Sequence, residues 1–163
     1  MSVARSAPAA MEPATRAYLH PGELWVSAES CEITTILGSC VAACIFDAGA
    51  GVGGMTHHLL PHGVAEAGRL GRFANLAVPE LVRRLVALGA RPEALRAKLF
   101  GGACVLQAFA GTGDGHLGAQ NVAAAREALV ALGIPVLAED VGGRTGRRLL
   151  FNTAEGIAHV RRL

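Results

Sequence analysis

The chain has 163 residues, of which 52% are hydrophobic and 17% are charged, and its formal net charge is +2. This length suits one domain with a full core and is short for two ordinary domains. The mild charge and an aromatic content of 4% argue against a nucleic-acid-binding surface. Gly, His or Arg interrupts every apolar run well short of the roughly 20 residues that a membrane helix needs, so we expect no membrane insertion.

The beginning of the chain has the composition of a flexible tail. Residues 1–20 are rich in Ala, Pro and Ser, show no periodicity and contain no continuous apolar segment of the secretory type. We therefore predict a tail over residues 1–23 and one domain over residues 24–163. The four cysteines lack the spacing of a small disulfide-rich domain, which favours a reducing cytoplasm.

Short apolar runs punctuated by glycine predict that most elements of the domain are strands. In chain order these are residues 33–37, 41–46, 55–60, 97–100, 135–138, 148–151 and 157–160. Helical spacing predicts one helix from Pro79 to Leu88 and another from Asn121 to Leu132, each ended by a glycine. The glycine-rich residues 110–118 are predicted to form a loop. Because strands outnumber helices, we predict an α+β fold of layered β-sheets flanked by helices.

Cys40 is the first candidate for chemistry, because it directly follows the turn formed by Gly38 and Ser39. Glycine permits a tight turn whose backbone N–H groups point outward, where they can lower a thiol pKa and hold a developing oxyanion. A thiolate attacks carbonyl carbon, and a nearby imidazole can take the thiol proton. This setting predicts acyl transfer on an amide or an ester. The alternative is that Cys40 only fills the core, as we expect of Cys31, Cys44 and Cys104.

Two adjacent histidines, His57 and His58, follow a glycine-rich segment and are the candidate bases. Side chains alternate along a strand, so the two rings point to opposite faces and only one can serve the thiol. The same alternation separates Thr34 from Thr35. Either threonine is an ordinary strand residue, or one of them accepts the imidazole N–H and thereby selects the tautomer.

A metal site is an alternative interpretation, because this region contains five potential metal ligands: Cys40, Cys44, His57, His58 and His62. Cys40 and Cys44 would lie roughly 13 Å apart along a strand, which is too far to share one zinc ion or to form a disulfide. Adjacent histidines on a strand point to opposite faces, so they cannot bind the same metal ion either. We expect neither a metal nor a cofactor, and a metal-binding sensor is the less favoured alternative.

Two other features have simple interpretations. The pairs Gly101-Gly102 and Gly142-Gly143 fit neither of the common phosphate-binding glycine patterns and indicate close backbone approach. Charge concentrates near the C-terminus, where the simplest interpretation is a solvated face and the weaker one is contact with an acidic protein surface. The residues concerned are Arg144, Arg147, Arg148, Arg161 and Arg162.

Several motifs taken together resemble the CheD family of chemoreceptor glutamine deamidases. In order they are LGSCVAACIFD, GGMTHHLLP, AKLFGGA, LGAQNV, AEDVGGRTGRRLLFN and VRRL, and they span roughly Leu24 to Leu163. The resemblance implies a cytoplasmic enzyme that hydrolyses selected glutamine side chains of methyl-accepting chemotaxis receptors to glutamate. Some members also hydrolyse receptor methyl esters, and many bind the phosphatase CheC. The implied fold is a layered arrangement similar to the catalytic domain of the cytotoxic necrotizing factor toxins.

The resemblance also implies roles for individual residues. Cys40 corresponds to the nucleophile, His57 to the general base and acid, and Thr34, six residues before the cysteine, to the residue that orients His57. We add the inference that the backbone around Gly38 and Ser39 stabilises the oxyanion. A non-catalytic module that binds CheC or receptors is the alternative function.

Overall fold

Two β-sheets and two α-helices make up a computed structural model that describes residues 15–66, 68–105 and 116–163. Within those ranges the strands are β1 (Thr15–Tyr18), β2 (Leu24–Ser27), β3 (Cys31–Leu37), β4 (Val41–Asp47), β5 (Val52–Thr56), β6 (Arg96–Gly101), β7 (Val136–Val141), β8 (Arg147–Asn152) and β9 (Ala158–Arg162). The α-helices are α1 (Ala74–Ala87) and α2 (Leu117–Ala131), with short 3-10 helices at Leu70–Arg72 and Pro92–Ala94. One sheet has the order β1-β3-β8-β9 and the other β2-β5-β4-β6-β7. The predicted α+β class with layered sheets is confirmed.

β4 is buried along its whole length because both faces of the five-stranded sheet are covered. On one face α1 and α2 pack over Val41, Ala43 and Ile45. On the other face the four-stranded sheet packs over Ala42, Cys44 and Phe46. The molecule therefore has three layers and two apolar cores. Successive side chains of β4 point alternately toward the helices and toward the space between the sheets.

The third predicted strand, residues 55–60, is displaced. β5 begins at Val52 and ends at Thr56, so Gly53 and Gly54 belong to the strand, while residues 48–51 form the turn that connects it to β4. A Cβ atom on Gly53 would lie 2.2 Å from the Thr153 carbonyl oxygen, and one on Gly54 would lie 2.4 Å from the Trp25 carbonyl oxygen. These glycines are present because neighbouring backbone approaches closely, and they do not mark a bend. The other predicted strands are confirmed.

The prediction of a tail through residue 23 is wrong for residues 15–23. β1 pairs in parallel with β3, and Leu19 directly after it is 1% exposed. β1 is an edge strand that β3 holds by backbone pairing on one side, so it forms without an apolar alternation that the sequence would reveal. Residues 1–14, together with most of the predicted loop at 110–118, lie outside the described residues.

Both predicted helices are confirmed, although each begins earlier than expected. α1 starts at Ala74, so Pro79 lies inside the helix and not in its first turn. Its missing N–H costs one intrahelical bond, while Val78 before it and Leu81 after it pack into the core. Gly89 and Gly133 follow the two helices with φ of 109° and 69°, which is the expected glycine stop. No helix in the described parts of the chain is long and apolar enough to cross a membrane.

One of the five C-terminal arginines does not belong to a solvated face. Arg147 is 1% exposed, and its Nη1 donates to the carbonyl oxygens of Gly101 at 2.7 Å and Asp140 at 2.6 Å. Its Nη2 donates to the Gly142 carbonyl oxygen. The guanidinium thus ties the ends of β6 and β7 together from β8. The remaining four arginines of this group are exposed, as predicted.

A buried carboxylate fastens the end of β4 to the loop before β6. Asp47 is 1% exposed and accepts hydrogen bonds from the backbone N–H of Arg91 at 3.0 Å and from its Nε at 3.2 Å. The Arg91 side chain, bound to the carboxylate, lowers the pKa of Asp47 from 3.8 to about 2, against the opposing effect of burial. The ionised form is therefore the stabilised one.

We predict that Asp47→Asn lowers the free energy of unfolding near neutral pH. Because the folded-state pKa is depressed, the contribution of the carboxylate is complete above pH 3.8 and disappears as the pH falls to about 2. The difference between the two proteins should close over that window in urea unfolding, and Glu93→Gln, which removes an exposed carboxylate nearby, serves as the control. A difference that stays constant with pH would contradict this role.

Candidate active site

The turn between β3 and β4 connects the two sheets, and its carbonyl groups are all held. The Gly38 carbonyl accepts from the Ala103 N–H at 2.9 Å, and the Cys40 carbonyl accepts from the Gly102 N–H at 2.9 Å. Between them, the Ser39 carbonyl accepts from Nδ2 of Asn121 at 3.0 Å. By contrast, the N–H groups of Ser39 and Cys40 donate to no residue within the described ranges. Anchored carbonyls and free N–H groups are what an anion-binding turn requires.

The glycines at the end of β6 allow this close approach. A Cβ atom on Gly101 would lie 2.2 Å from the Cys40 carbonyl oxygen, and one on Gly102 would lie 2.4 Å from Cγ2 of Val122. Their φ angles of 104° and 70° also favour glycine. The interpretation of this pair as a point of close backbone approach is confirmed.

The Cys40 side chain is half-buried and packs against the core between the sheets. Desolvation raises the pKa of this thiol above its ordinary 9.0, and the residue's own N–H only partly opposes the effect. Turn donors can lower a thiol pKa, but at Cys40 the effect of burial is larger. The Cys40 side chain is therefore a protonated thiol near neutral pH.

The His57 ring is held by Thr35, whose hydroxyl is itself bonded to a backbone carbonyl. The Thr35 hydroxyl donates to the Leu19 carbonyl oxygen at 2.6 Å, so its oxygen is free to accept from Nδ1–H of His57, 2.7 Å away. That arrangement places the proton on Nδ1 and leaves the lone pair on Nε2. Nε2 is buried and has no hydrogen-bond partner in the described structure. It is the atom available to take a proton.

The hydrogen bond predicted for Thr34 is made by Thr35, which is a correction to the sequence analysis. Ile33, Thr35 and Leu37 are buried on one face of β3, whereas Thr34 is only half-buried and points to the other face. The apolar neighbours at positions 33 and 37 were the sequence signal for the inward residue. Counting six residues back from the cysteine missed it.

Cys40 and His57 both face the space between the sheets. Cys40 packs against the core of that space, and His57 reaches across it to bond Thr35 of the opposite sheet. Burial lowers the pKa of His57 to about 4, with partial opposition from the Leu19 backbone. The imidazole is therefore neutral at physiological pH and able to accept a proton. A neutral thiol and a neutral imidazole thus face the same space between the sheets.

His58 belongs to the opposite face of its sheet, as strand alternation predicts. It pairs with Val41 of the helix-side core, and its Nδ1 lies 3.2 Å from the Thr56 hydroxyl oxygen. Burial lowers the pKa of His58 to about 4, an effect that the Asn121 backbone partly opposes. Among the residues that the structure describes, no three His, Cys, Asp or Glu side chains are grouped to hold a metal ion.

Asn121 is the site residue that the sequence analysis overlooked. It is fully buried in α2, and its Nδ2 contacts both the Ser39 and the Leu59 carbonyl oxygens. A signal was present, because Asn121 stands four and eight residues before Ala125 and Leu129, which are on the apolar stripe of the helix. A polar residue in such a stripe indicates a buried hydrogen bond.

A protonated Cys40 thiol should react slowly with alkylating reagents. We expect iodoacetamide to modify Cys40 slowly at neutral pH, with a rate that rises about tenfold per pH unit as the thiolate fraction grows. The rise should continue past pH 9.0, because the folded-state pKa lies above that value. Peptide mass mapping would separate this cysteine from Cys104. A plateau between about pH 5 and 8 would instead indicate a thiolate–imidazolium pair and contradict the neutral resting state.

Comparison with known proteins identifies the family. A family model described as CheD chemotactic sensory transduction matches residues 59–162. A protein of Anaeromyxobacter dehalogenans named probable chemoreceptor glutamine deamidase CheD 1 is 48% identical over 98% of this chain and 94% of its own length. Proteins named probable chemoreceptor glutamine deamidase CheD from Trichlorobacter lovleyi and Methanococcus maripaludis are 41% and 38% identical over 89% and 86% of this chain, and over 89% and 90% of their own lengths. The chain belongs to the CheD family.

Proposed function

We propose that this protein is a protein-glutamine deamidase that converts glutamine side chains of chemotaxis receptors to glutamate in the cytoplasm. Membership of the CheD family and the names of the relatives support the substrate and the reaction. The observation that carries the proposal is that Cys40 and His57 both face the space between the sheets. Among the described residues, the Ser39 and Cys40 N–H groups donate to no other residue, and Nε2 of His57 has no partner while Nδ1 is bonded to Thr35.

The reaction begins from the neutral pair. As Sγ of Cys40 attacks the carboxamide carbon, Nε2 of His57 takes the thiol proton, so no free thiolate has to form in the buried site. The N–H groups beside Gly38 and Ser39 receive the developing oxyanion. The imidazolium then gives its proton to the departing ammonia, and a thioester remains. His57 next takes a proton from water, whose oxygen attacks the thioester, and glutamate and the thiol are released.

In this mechanism Thr35 takes the orienting role that the sequence analysis gave to Thr34. Its hydroxyl accepts from Nδ1–H and thereby keeps the lone pair on Nε2 in both halves of the reaction. Leu19 fixes the direction of that hydroxyl, because its carbonyl accepts the hydroxyl proton. The segment before β2 thus contributes to the site.

The same chemistry can also release methanol from an ester. A receptor methyl ester would follow the same route with methanol in place of ammonia, and we propose this as a second activity.

Each deamidation adds a carboxylate to a receptor helix, which changes its electrostatics and can shift a signalling equilibrium. We also propose a CheC-type phosphatase as a binding partner, on the family resemblance alone.

We predict that Cys40→Ala abolishes conversion of receptor glutamines while the fold is retained. The experiment incubates the protein with receptor cytoplasmic fragments and maps glutamate formation by mass spectrometry. Cys44→Ala is the matched control, because Cys44 lies on β4 and faces the same core but has no assigned chemistry. Undiminished conversion by Cys40→Ala would remove the nucleophile from the proposal.

We predict that Thr35→Val lowers kcat by roughly 10- to 100-fold, a part of what a positioned base contributes, with little change in KM. Valine fills the same space but cannot accept from Nδ1–H, so the imidazole loses tautomer control. Thr34→Val is the control and should change kcat by no more than about twofold, because Thr34 faces away from the ring. Equal effects of the two substitutions on deamidation would contradict the role of Thr35 in orienting His57.

A further inference from the structure

Asn121 joins the two chain segments that carry the reacting side chains. Its Nδ2 donates to the Ser39 carbonyl oxygen at 3.0 Å and to the Leu59 carbonyl oxygen at 2.9 Å. Ser39 directly precedes the nucleophile, and Leu59 lies two residues after His57. Of the three groups that hold the carbonyls of the turn, Asn121 supplies the side chain, and the other two are backbone N–H groups.

The bond to Ser39 has a consequence for the next residue, because a peptide unit is planar and trans. The Ser39 carbonyl and the Cys40 N–H belong to one peptide unit and point in opposite directions. A donor that holds the carbonyl on one side therefore directs the N–H to the other. That N–H donates to no residue in the parts of the chain that the structure describes.

We propose that Asn121 is a positioning residue that directs the Cys40 N–H toward the oxyanion formed during deamidation. This inference rests on the proposed function. Asn121 does not touch the substrate, because its side chain is fully buried and lies in the helix layer behind the turn. It acts through the Ser39–Cys40 peptide unit, which it prevents from rotating.

The support for this side chain is itself rigid. α2 approaches the end of β6 so closely that a Cβ atom on Gly118 would lie 2.3 Å from the Gly102 carbonyl oxygen. Gly102 in turn donates its N–H to the Cys40 carbonyl. The helix that carries Asn121 and the backbone that holds the turn therefore form one packed unit, and the amide cannot follow the peptide if the peptide rotates.

The test separates oxyanion stabilisation from the reactivity of the thiol. Deamidation passes through a tetrahedral oxyanion, whereas alkylation by iodoacetamide displaces iodide at a saturated carbon and forms none. Asn121→Ala should lower kcat for deamidation by about 10²-fold, as small misplacements of a catalytic group do, with little change in KM. The rate of Cys40 alkylation and its pH dependence should stay within about twofold of those of the unsubstituted protein, because the Asn121 side chain makes no hydrogen bond to the thiol.

Asn75 provides a matched control. It lies on α1, is half-buried and also makes two bonds to a loop, accepting from the Gly63 N–H at 2.9 Å and donating to the Gly63 carbonyl at 3.0 Å. Asn75→Ala should lower thermal stability in the same way as Asn121→Ala while deamidation continues at the original rate. Asn121→Leu, which has a similar shape but no donor, is the second variant if alanine does not fold.

The possible outcomes are distinct. If the folded Asn121 variants keep their kcat, or if alkylation falls in proportion to deamidation, the positioning role is overturned, although the deamidase function stands. If the unsubstituted protein converts no receptor glutamine, the proposed function fails and this inference fails with it. A selective loss of kcat in the Asn121 variants, with deamidation intact in Asn75→Ala, supports it.

Discussion

The contact between the turn at residues 38–40 and the backbone of Gly101 and Gly102 is the constraint on which the site depends. No side chain fits between these segments, since a Cβ atom on Gly101 would overlap the Cys40 carbonyl oxygen at 2.2 Å. The segments are therefore bonded backbone to backbone, and the turn is held in one conformation. Because this turn also carries the chain from one sheet to the other, it sets where Cys40 stands relative to the sheet that bears Thr35.

The side chains proposed to react and the side chains that hold the turn lie in different layers of the fold. The space between the sheets receives Cys40 and His57, while the helix side of the same sheet receives His58 and Asn121. Adjacent histidines can serve different layers because side chains alternate along a strand. Cys40 and His57, the proposed reacting groups, thus lie on one side of the five-stranded sheet, and the Asn121 amide that holds the turn lies on the other.

Burial dominates the electrostatics of the reacting pair. It raises the pKa of the Cys40 thiol and lowers that of the His57 imidazole, so both groups rest in their neutral forms. In the proposed mechanism the Cys40 thiol therefore stays unreactive until its proton moves during attack. Neutral groups also avoid the desolvation cost that an ion pair would meet between two apolar sheets.

The sequence by itself determined most strands, both helices with their glycine stops, the α+β class, and the candidacy of Cys40 and His57. These features follow from local periodicity, turn chemistry and motifs, which neighbouring residues encode. Only the tertiary structure decided that Thr35 and not Thr34 meets the imidazole, that Arg147 is buried, and that Asn121 holds Ser39. The Asn121–Ser39 bond spans 82 residues, and Arg147 reaches Gly101 across 46. Such contacts depend on which strand faces and helix ends meet after folding, and no local pattern contains that information.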